Sequence, residues 1–376
     1  MNIKKHIILF CLIFFSITSL FAQKVIHEWT THVPGLKVIN VEKRGEIIYA
    51  ATPYEIFYYN TGDNSINKLT KVNGLSDFGI NVMRYNPHAD MILIGYSNSN
   101  IDIIDNKNNI INISDIKNKS ILGDKNINEV YFIEDKAYLC CGFGIVVIDL
   151  KKMEIRETYM MGDNGSYLNI NDITLYDNKL YAATNNGIYY ADYDNKNLVD
   201  FSQWTHDTTL IHDDLNYSEI ETFNKQLIAN YSINKYDTDT LFVFDGNEWN
   251  YHDYETHSIK RSIRAYDDRL VIANNYSVVA LDTNNNIIQS YSKKLEPFDC
   301  IYDKTEKVYW IADNNNSIFK LIPGKSCDPI IFNGPYSNFV FEYDLLKLTH
   351  GMKKSCYGFL VWDEFYKSWK IRRRTD

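Results

Sequence analysis

Apolar residues in this chain come in runs of four to six, each closed by Asn, Asp or Gly. That is strand grammar, because a helix would spread its apolar positions at three- and four-residue spacing over longer stretches. The runs also repeat. Tyr49-Ala-Ala-Thr52 leads to Ile56-Phe-Tyr-Tyr59, and Tyr181-Ala-Ala-Thr184 leads to Ile188-Tyr-Tyr190. Weaker copies pair Leu93–Tyr96 with Ile101–Ile104, Leu139–Gly142 with Ile145–Ile148, Leu227–Asn230 with Leu241–Phe244, Val271–Asn274 with Val278–Ala280, and Trp310–Asp313 with Ile318–Phe319.

One small residue marks each copy: Ala51, Gly95, Cys141, Ala183, Ala229, Ala273 and Ala312, at intervals of 44, 46, 42, 46, 44 and 39 residues. Seven units of this period predict an all-β fold, a seven-bladed β-propeller of four-stranded blades. The marker lies on strand B, where blades pack face to face and leave little room. Strand A precedes it, as in Val38–Glu42, Ile80–Tyr85 and Asn171–Tyr176. Strand C is the apolar run, and strand D follows a tight turn, as in Ile66–Leu69, Ile110–Ile113, Ile155–Thr158 and Ile287–Ser290. Strand C ends at Asn60, Asp105, Asp149, Asp192, Asp245 and Asp282. A fixed place in the repeat points to turn-making, since Asp and Asn bond backbone two residues on. The outer strand of the seventh blade has two candidates, Val25–Thr30 and Ile330–Phe332. The first is preferred, because it would tie both ends of the ring together.

The first residues read as an address. Lys4 and Lys5 precede an apolar run, Ile7–Ile17, and a small residue at Ala22, the layout of a secretory signal peptide. The organisation expected is therefore a signal peptide over 1–22, the propeller over 23–332, and a short irregular C-terminal extension over 333–376. Within that extension, Asn333–Asp344 looks like the entry to another propeller, and Phe359–Trp362 with Trp369–Ile371 are a candidate strand pair. The location expected is outside the cytoplasm, in the periplasm or at the cell surface.

Charge narrows the partners. The formal net charge is −9, and loss of Lys4 and Lys5 takes it to −11. An acidic body repels phosphate backbones, so nucleic acid is not an expected partner. Cys140, Cys141, Cys300, Cys327 and Cys356 form no CxxC pair and no disulfide framework. Cys140 and Cys141 would point to opposite faces of one strand.

No catalytic, cofactor or metal residues are assigned. The chain has no GxSxG, GxGxxG, P-loop or HExxH motif. His252 and His257, near Asp253 and Glu255, read as a solvated loop between blades. All strands A point at the propeller axis, so scattered carboxylates could meet there, but nothing in the sequence favours a site formed in that way. The expectation is a binding protein and not an enzyme.

Several segments together resemble one family. They are Asn73-Gly-Leu-Ser-Asp77, Leu93–Tyr96 with Asn100–Ile104, Cys141–Leu150, Glu154–Tyr159 with Gly162, Tyr181–Asp192 and Asn333–Asn338. They look like the PorZ family, propeller components of the Bacteroidetes type IX secretion system. The resemblance runs from about residue 24 to 340. It implies a surface attachment complex with the sortase PorU and with PorV and PorQ, and binding of anionic lipopolysaccharide. It also implies a second propeller and a sorting domain, which this sequence does not contain. Two alternatives are a ligand-sensing periplasmic propeller of a two-component hybrid regulator, with which the Asn73–Asp77 turn is shared, and a propeller enzyme acting on glycans.

Overall fold

The structure is a computed structural model. It describes residues 33–332, except 122, 233–238, 253, 255–257 and 326, together with 359–363 and 368–372. Seven four-stranded antiparallel sheets follow one another along the chain, each a meander in the order A-B-C-D. The blades begin at Asn40, Ile80, Ile127, Ile170, Tyr217, Lys260 and Pro297. This is the seven-bladed β-propeller that the repeat predicts.

Packing explains the repeat. Seven separate apolar clusters occupy the seven spaces between successive blades. Between blades 1 and 2, for example, Ala51 and Ile56 meet Met83, Ile92 and Ile94, all of them buried. Each Ile, Leu or Met buried in this way contributes roughly 1.5–3 kcal/mol. At Gly95 an added Cβ would lie 2.8 Å from Val82 Cγ1 and 3.1 Å from Ile127 Cδ1, so the marker has to be small. Strand register corrects two markers. The residues opposite the same inner-strand position are Ala51, Gly95, Cys140, Ala183, Asn230, Ala273 and Ala312. In blades 3 and 5 the equivalent residue is thus Cys140 and not Cys141, and Asn230 and not Ala229. Cys140 and Cys141 do face opposite clusters, and burial raises the pKa of both thiols.

The inner strands share a further irregularity. In six of the seven, the register against strand B slips at one residue: Asn81, Asn128, Asn171, Ser218, Arg261 and Phe298. Such a bulge re-aims a side chain and increases local twist. In blades 2, 3 and 4 the bulged Asn donates to the first carbonyl of the next inner strand, Asn81 to Ile127 (2.6 Å), Asn128 to Ile170 (2.7 Å) and Asn171 to Tyr217 (2.6 Å).

Among the described residues, the ring closes without an N-terminal strand. Blade 7 takes its outer strand from Cys327–Ile330, directly after its own strand C. Each blade is therefore one continuous piece of chain. The preferred candidate, Val25–Thr30, lies outside the described residues, and the blade is complete without it. Closure is instead face to face. Val38 N donates to Asp313 O and Ser317 N to Leu36 O, and the Phe57 and Phe332 rings stack at 4.2 Å.

The turn assignment holds in side-chain detail. Asp105 Oδ1 accepts from the backbone of Lys107 and Asn109, Asp245 Oδ1 from Asn247 and Glu248, and Asp282 Oδ1 from Asn284 and Asn286. Asp149 and Asn60 act alike, while Asp192 uses its carbonyl. The Asn73–Asp77 turn is also structural. Asn73 Oδ1 accepts from Thr70, Leu75 is buried, and Asp77 holds Lys117 at 2.6 Å and Asn98 at 2.7 Å. His252 is corrected: it is only 2% exposed, because its N–H donates to Leu241 O and so continues the outer edge of blade 5, and its Nδ1 accepts from Tyr254 N. Asp253, Glu255 and His257 lie outside the described residues, as do residues 1–22 and 333–358. Phe359–Asp363 and Ser368–Arg372 form an antiparallel pair, each a little longer than the sequence suggests.

Candidate functional site

An inner strand of a propeller is the edge of its sheet, so its outward N–H groups lack a ladder partner. Here acidic and amide side chains supply one. Asp172 Oδ1 accepts from Ile173 N, and Asp299 Oδ1 from Cys300 N. Their second oxygens reach the next blade. Asp172 Oδ2 takes Ile220 N at 2.9 Å and Asp299 Oδ2 takes Val41 N at 3.3 Å, while Asn40 Oδ1 takes Met83 N. Carboxylates gather at the axis because they bind amides within a blade and between blades.

These groups divide into two arcs. On blades 6, 7, 1, 2 and 3, Arg264 holds Asp299 through two nitrogens, at 2.9 and 2.6 Å, and Glu42 at 2.9 Å. Arg84 links Asp299 (3.2 Å) to Glu129 (2.5 Å). Burial alone would raise the Asp299 carboxyl, but Arg264, Arg84 and Ser262 hold it well below the usual carboxylate range. Burial outweighs the same arginines at Glu42, whose pKa is raised.

The second arc, on blades 4 and 5, is acid only. Asp172, Glu219 and Glu221 accept no hydrogen bond from either guanidinium. Burial and the charge of Glu129 push Asp172 up to about 7, against the pull of two backbone N–H groups. Burial and the charge of Asp172 push Glu221 up to about 8. Glu219 is raised strongly, by burial and then by Asp172 and Glu129. Glu221 also lines a small cavity of about 280 Å³ between blades 5 and 6, with Phe223, Asn224, Tyr266 and Asp267. Carboxylates do meet at the axis, which nothing in the sequence favoured, and this arrangement turns most of them toward backbone or guanidinium.

Directly before Ser262 and Asp299, at the start of the inner strands, lies a cluster of opposite sign. Lys37 Nζ lies 5.0 Å and Arg261 4.8 Å from the centre of the Phe298 ring. Arg261 bonds Asn275 Oδ1, and among the described residues neither cation has a carboxylate partner. Such stacking is worth roughly 0.5–1 kcal/mol at an exposed site and leaves positive charge available. Nothing in the sequence marks these three residues, which come from blades 1, 6 and 7.

A ring of seven contiguous blades with a salt-bridged axis defines the class: a seven-bladed β-propeller. Residues 48–205 match the PorZ N-terminal β-propeller domain of the type IX secretion system. The propeller of this chain is PorZ-like. The structure of PorZ, an essential bacterial surface component of the type IX secretion system of Porphyromonas gingivalis, superposes with a TM-score of 0.70 at 18% identity. That match covers 84% of this chain and 41% of the PorZ chain, so the chain spans about two fifths of its length. The β-propeller domain of Cps50 (Swd1) from Myceliophteria thermophila shares the fold at 7% identity and a TM-score of 0.53, covering 78% of this chain and 98% of that one. No curated protein matches the chain by sequence. Among the described residues, no helix is long and apolar enough to cross a membrane.

Proposed function

We propose that this chain is a non-enzymatic binding propeller of the type IX secretion attachment complex, exported to the cell envelope. There it engages anionic lipopolysaccharide and assists the sortase PorU, alongside PorV and PorQ. The observation that carries this reading is the match of residues 48–205 to the PorZ propeller family. Two features of the molecule support it. The axis carboxylates are largely engaged in holding inner strands together, which is a scaffold's use of them. Lys37 and Arg261, stacked on Phe298 and without a carboxylate partner among the described residues, offer a place to take an anionic group.

The test is affinity capture of the tagged chain from its native envelope. Recovery of PorU, PorV or PorQ together with anionic lipopolysaccharide is the expected result. The paired substitution Lys37→Ala and Arg261→Ala should lower lipopolysaccharide recovery several-fold without changing the melting temperature. Recovery of neither the sortase complex nor lipopolysaccharide sinks the proposal.

A further inference from the structure

Blade 4 departs from the other six at its outer edge. Its strand D is only Thr205–His206, and residues 193–204 replace the tight turn that joins strands C and D elsewhere. A shortened outer strand leaves part of strand C uncovered. The long connection climbs over the gap and meets the loop that enters the blade, bringing the turn Phe201–Gln203 against the turn Asp163–Gly165. Between them lies a cavity of about 410 Å³, within the range of small-molecule sites.

Aromatic rings line it, and all but the one at the lip are fixed from behind. Tyr189 and His206 stack at 4.7 Å with 17° between planes. His206 Nε2 is held on Asp213 O at 2.7 Å. Trp204 gives its Nε1–H to Leu198 O and packs against Tyr159. Phe201 forms the lip and remains 40% exposed, so its ring is not spent on the core. The polar lining is Asp163, Asn164 and Ser202, and no lysine or arginine joins it. The side chains of Asp163 and Asn164 make no hydrogen bond among the described residues, and Asn164 is held at φ 56°.

Flat apolar faces with a polar rim suit a ligand that has an apolar face and a hydroxylated edge. A sugar ring is such a body, because its C–H groups crowd one face and its hydroxyls lie at the perimeter. An anionic ligand would meet the Asp163 carboxylate with no cation to offset it. The volume accommodates about two hexose rings. We propose that the blade 4 groove binds a neutral mono- or disaccharide unit, stacked on Phe201 and the Tyr189–His206 pair, with Asp163 and Asn164 bonding its hydroxyls. This site is separate from the Lys37–Phe298–Arg261 island and does not depend on the secretion reading.

The test uses the purified full chain in saturation-transfer difference NMR. The probes are cellobiose, lactose and maltose, with glucuronate and choline as the anionic and cationic arms. Transfer from at least one neutral disaccharide at about millimolar affinity is expected. Phe201→Ala and Asn164→Gly, both at exposed positions, the second keeping the positive φ without strain, should each weaken it about tenfold with the thermal melt unchanged. Lys37→Ala with Arg261→Ala should leave it intact. No transfer from any of the three disaccharides overturns the proposal, as does transfer from glucuronate or choline alone. So does disaccharide transfer that survives both groove substitutions.

Discussion

Asp172, Glu219 and Glu221 lie on neighbouring inner strands, facing each other and the Glu129 carboxylate, with Arg84 and Arg264 committed to the opposite arc. A carboxyl whose pKa is raised by folding holds its proton in the native state at a pH where the unfolded chain has lost it. The unfolded state then binds fewer protons, and stability falls as pH rises. With ordinary values near 4 and folded values of about 7 for Asp172 and about 8 for Glu221, the loss spans roughly pH 4 to 8. Below that window the opposite sign takes over, because Asp299 and Asp303 are held low by their cationic partners and lose those pairs on protonation. Unfolding in urea should therefore show greatest stability in mildly acidic solution and a decline on the order of a few kcal/mol by pH 8. Glu221→Gln should flatten that decline. An unchanged slope in the variant would show that this carboxyl is already ionised. None of this pairing is visible in sequence: Glu42 and Arg264 are 222 positions apart, and only the ring brings them together.

Single elements were readable wherever local chemistry was repeated. Strands A to C announce themselves by apolar runs, and the Asp and Asn turn-makers by position. The outer strands of blades 4 and 5 do not, since Thr205–His206 and Trp249–Tyr251 are too short to show a period. The marker slipped by one residue at Cys140-Cys141 and Ala229-Asn230, where the register is not set by a contrast between a small residue and a large neighbour. The bulges in the inner strands carry no sequence signature, being occupied by Asn, Ser, Arg and Phe alike. One turn shows how tightly an element is specified. Gly187 opens strand C of blade 4 at φ 87°, a conformation that favours glycine, and an added methyl would run into the Asp213 carbonyl and the His206 ring. Gly187→Ala should cost about 2–4 kcal/mol, read as a lower urea midpoint at unchanged slope. The same change should disturb the groove on this blade, because Asp213 O anchors His206.

At the scale of the whole molecule, the seam between blades 7 and 1 has no shared strand among the described residues to lock it. Its strength comes from Val41, Ile48 and Phe57 against Ile301, Val308 and Trp310, and from the Phe57–Phe332 stack. Phe332 is 1% exposed and lies just past the last strand. Phe332→Ala should cost about 3–5 kcal/mol, the usual range for emptying a buried aromatic site. If closure depends on it, limited proteolysis of the variant will cut first near residues 33–38 or 322–332. Equal cleavage around the ring would show that the seam is no weaker than the other six spaces. The fold as a whole was predictable because each space between blades repeats the same packing problem. The seam was not, because it is the one place where residues about 260–280 positions apart must meet.

Continuity of each blade also bears on how the molecule is made. A blade that borrows no strand from the far terminus is finished as soon as its own residues have emerged, so folding can advance vectorially from the first blade to the seventh. The seam is the last thing to form. Until then the growing protein is an open crescent with two raw ends, one showing Val41 and Phe57 and the other whichever blade was completed most recently. Those unpaired ends, and not any single unfolded strand, are the surfaces that a chaperone would need to cover.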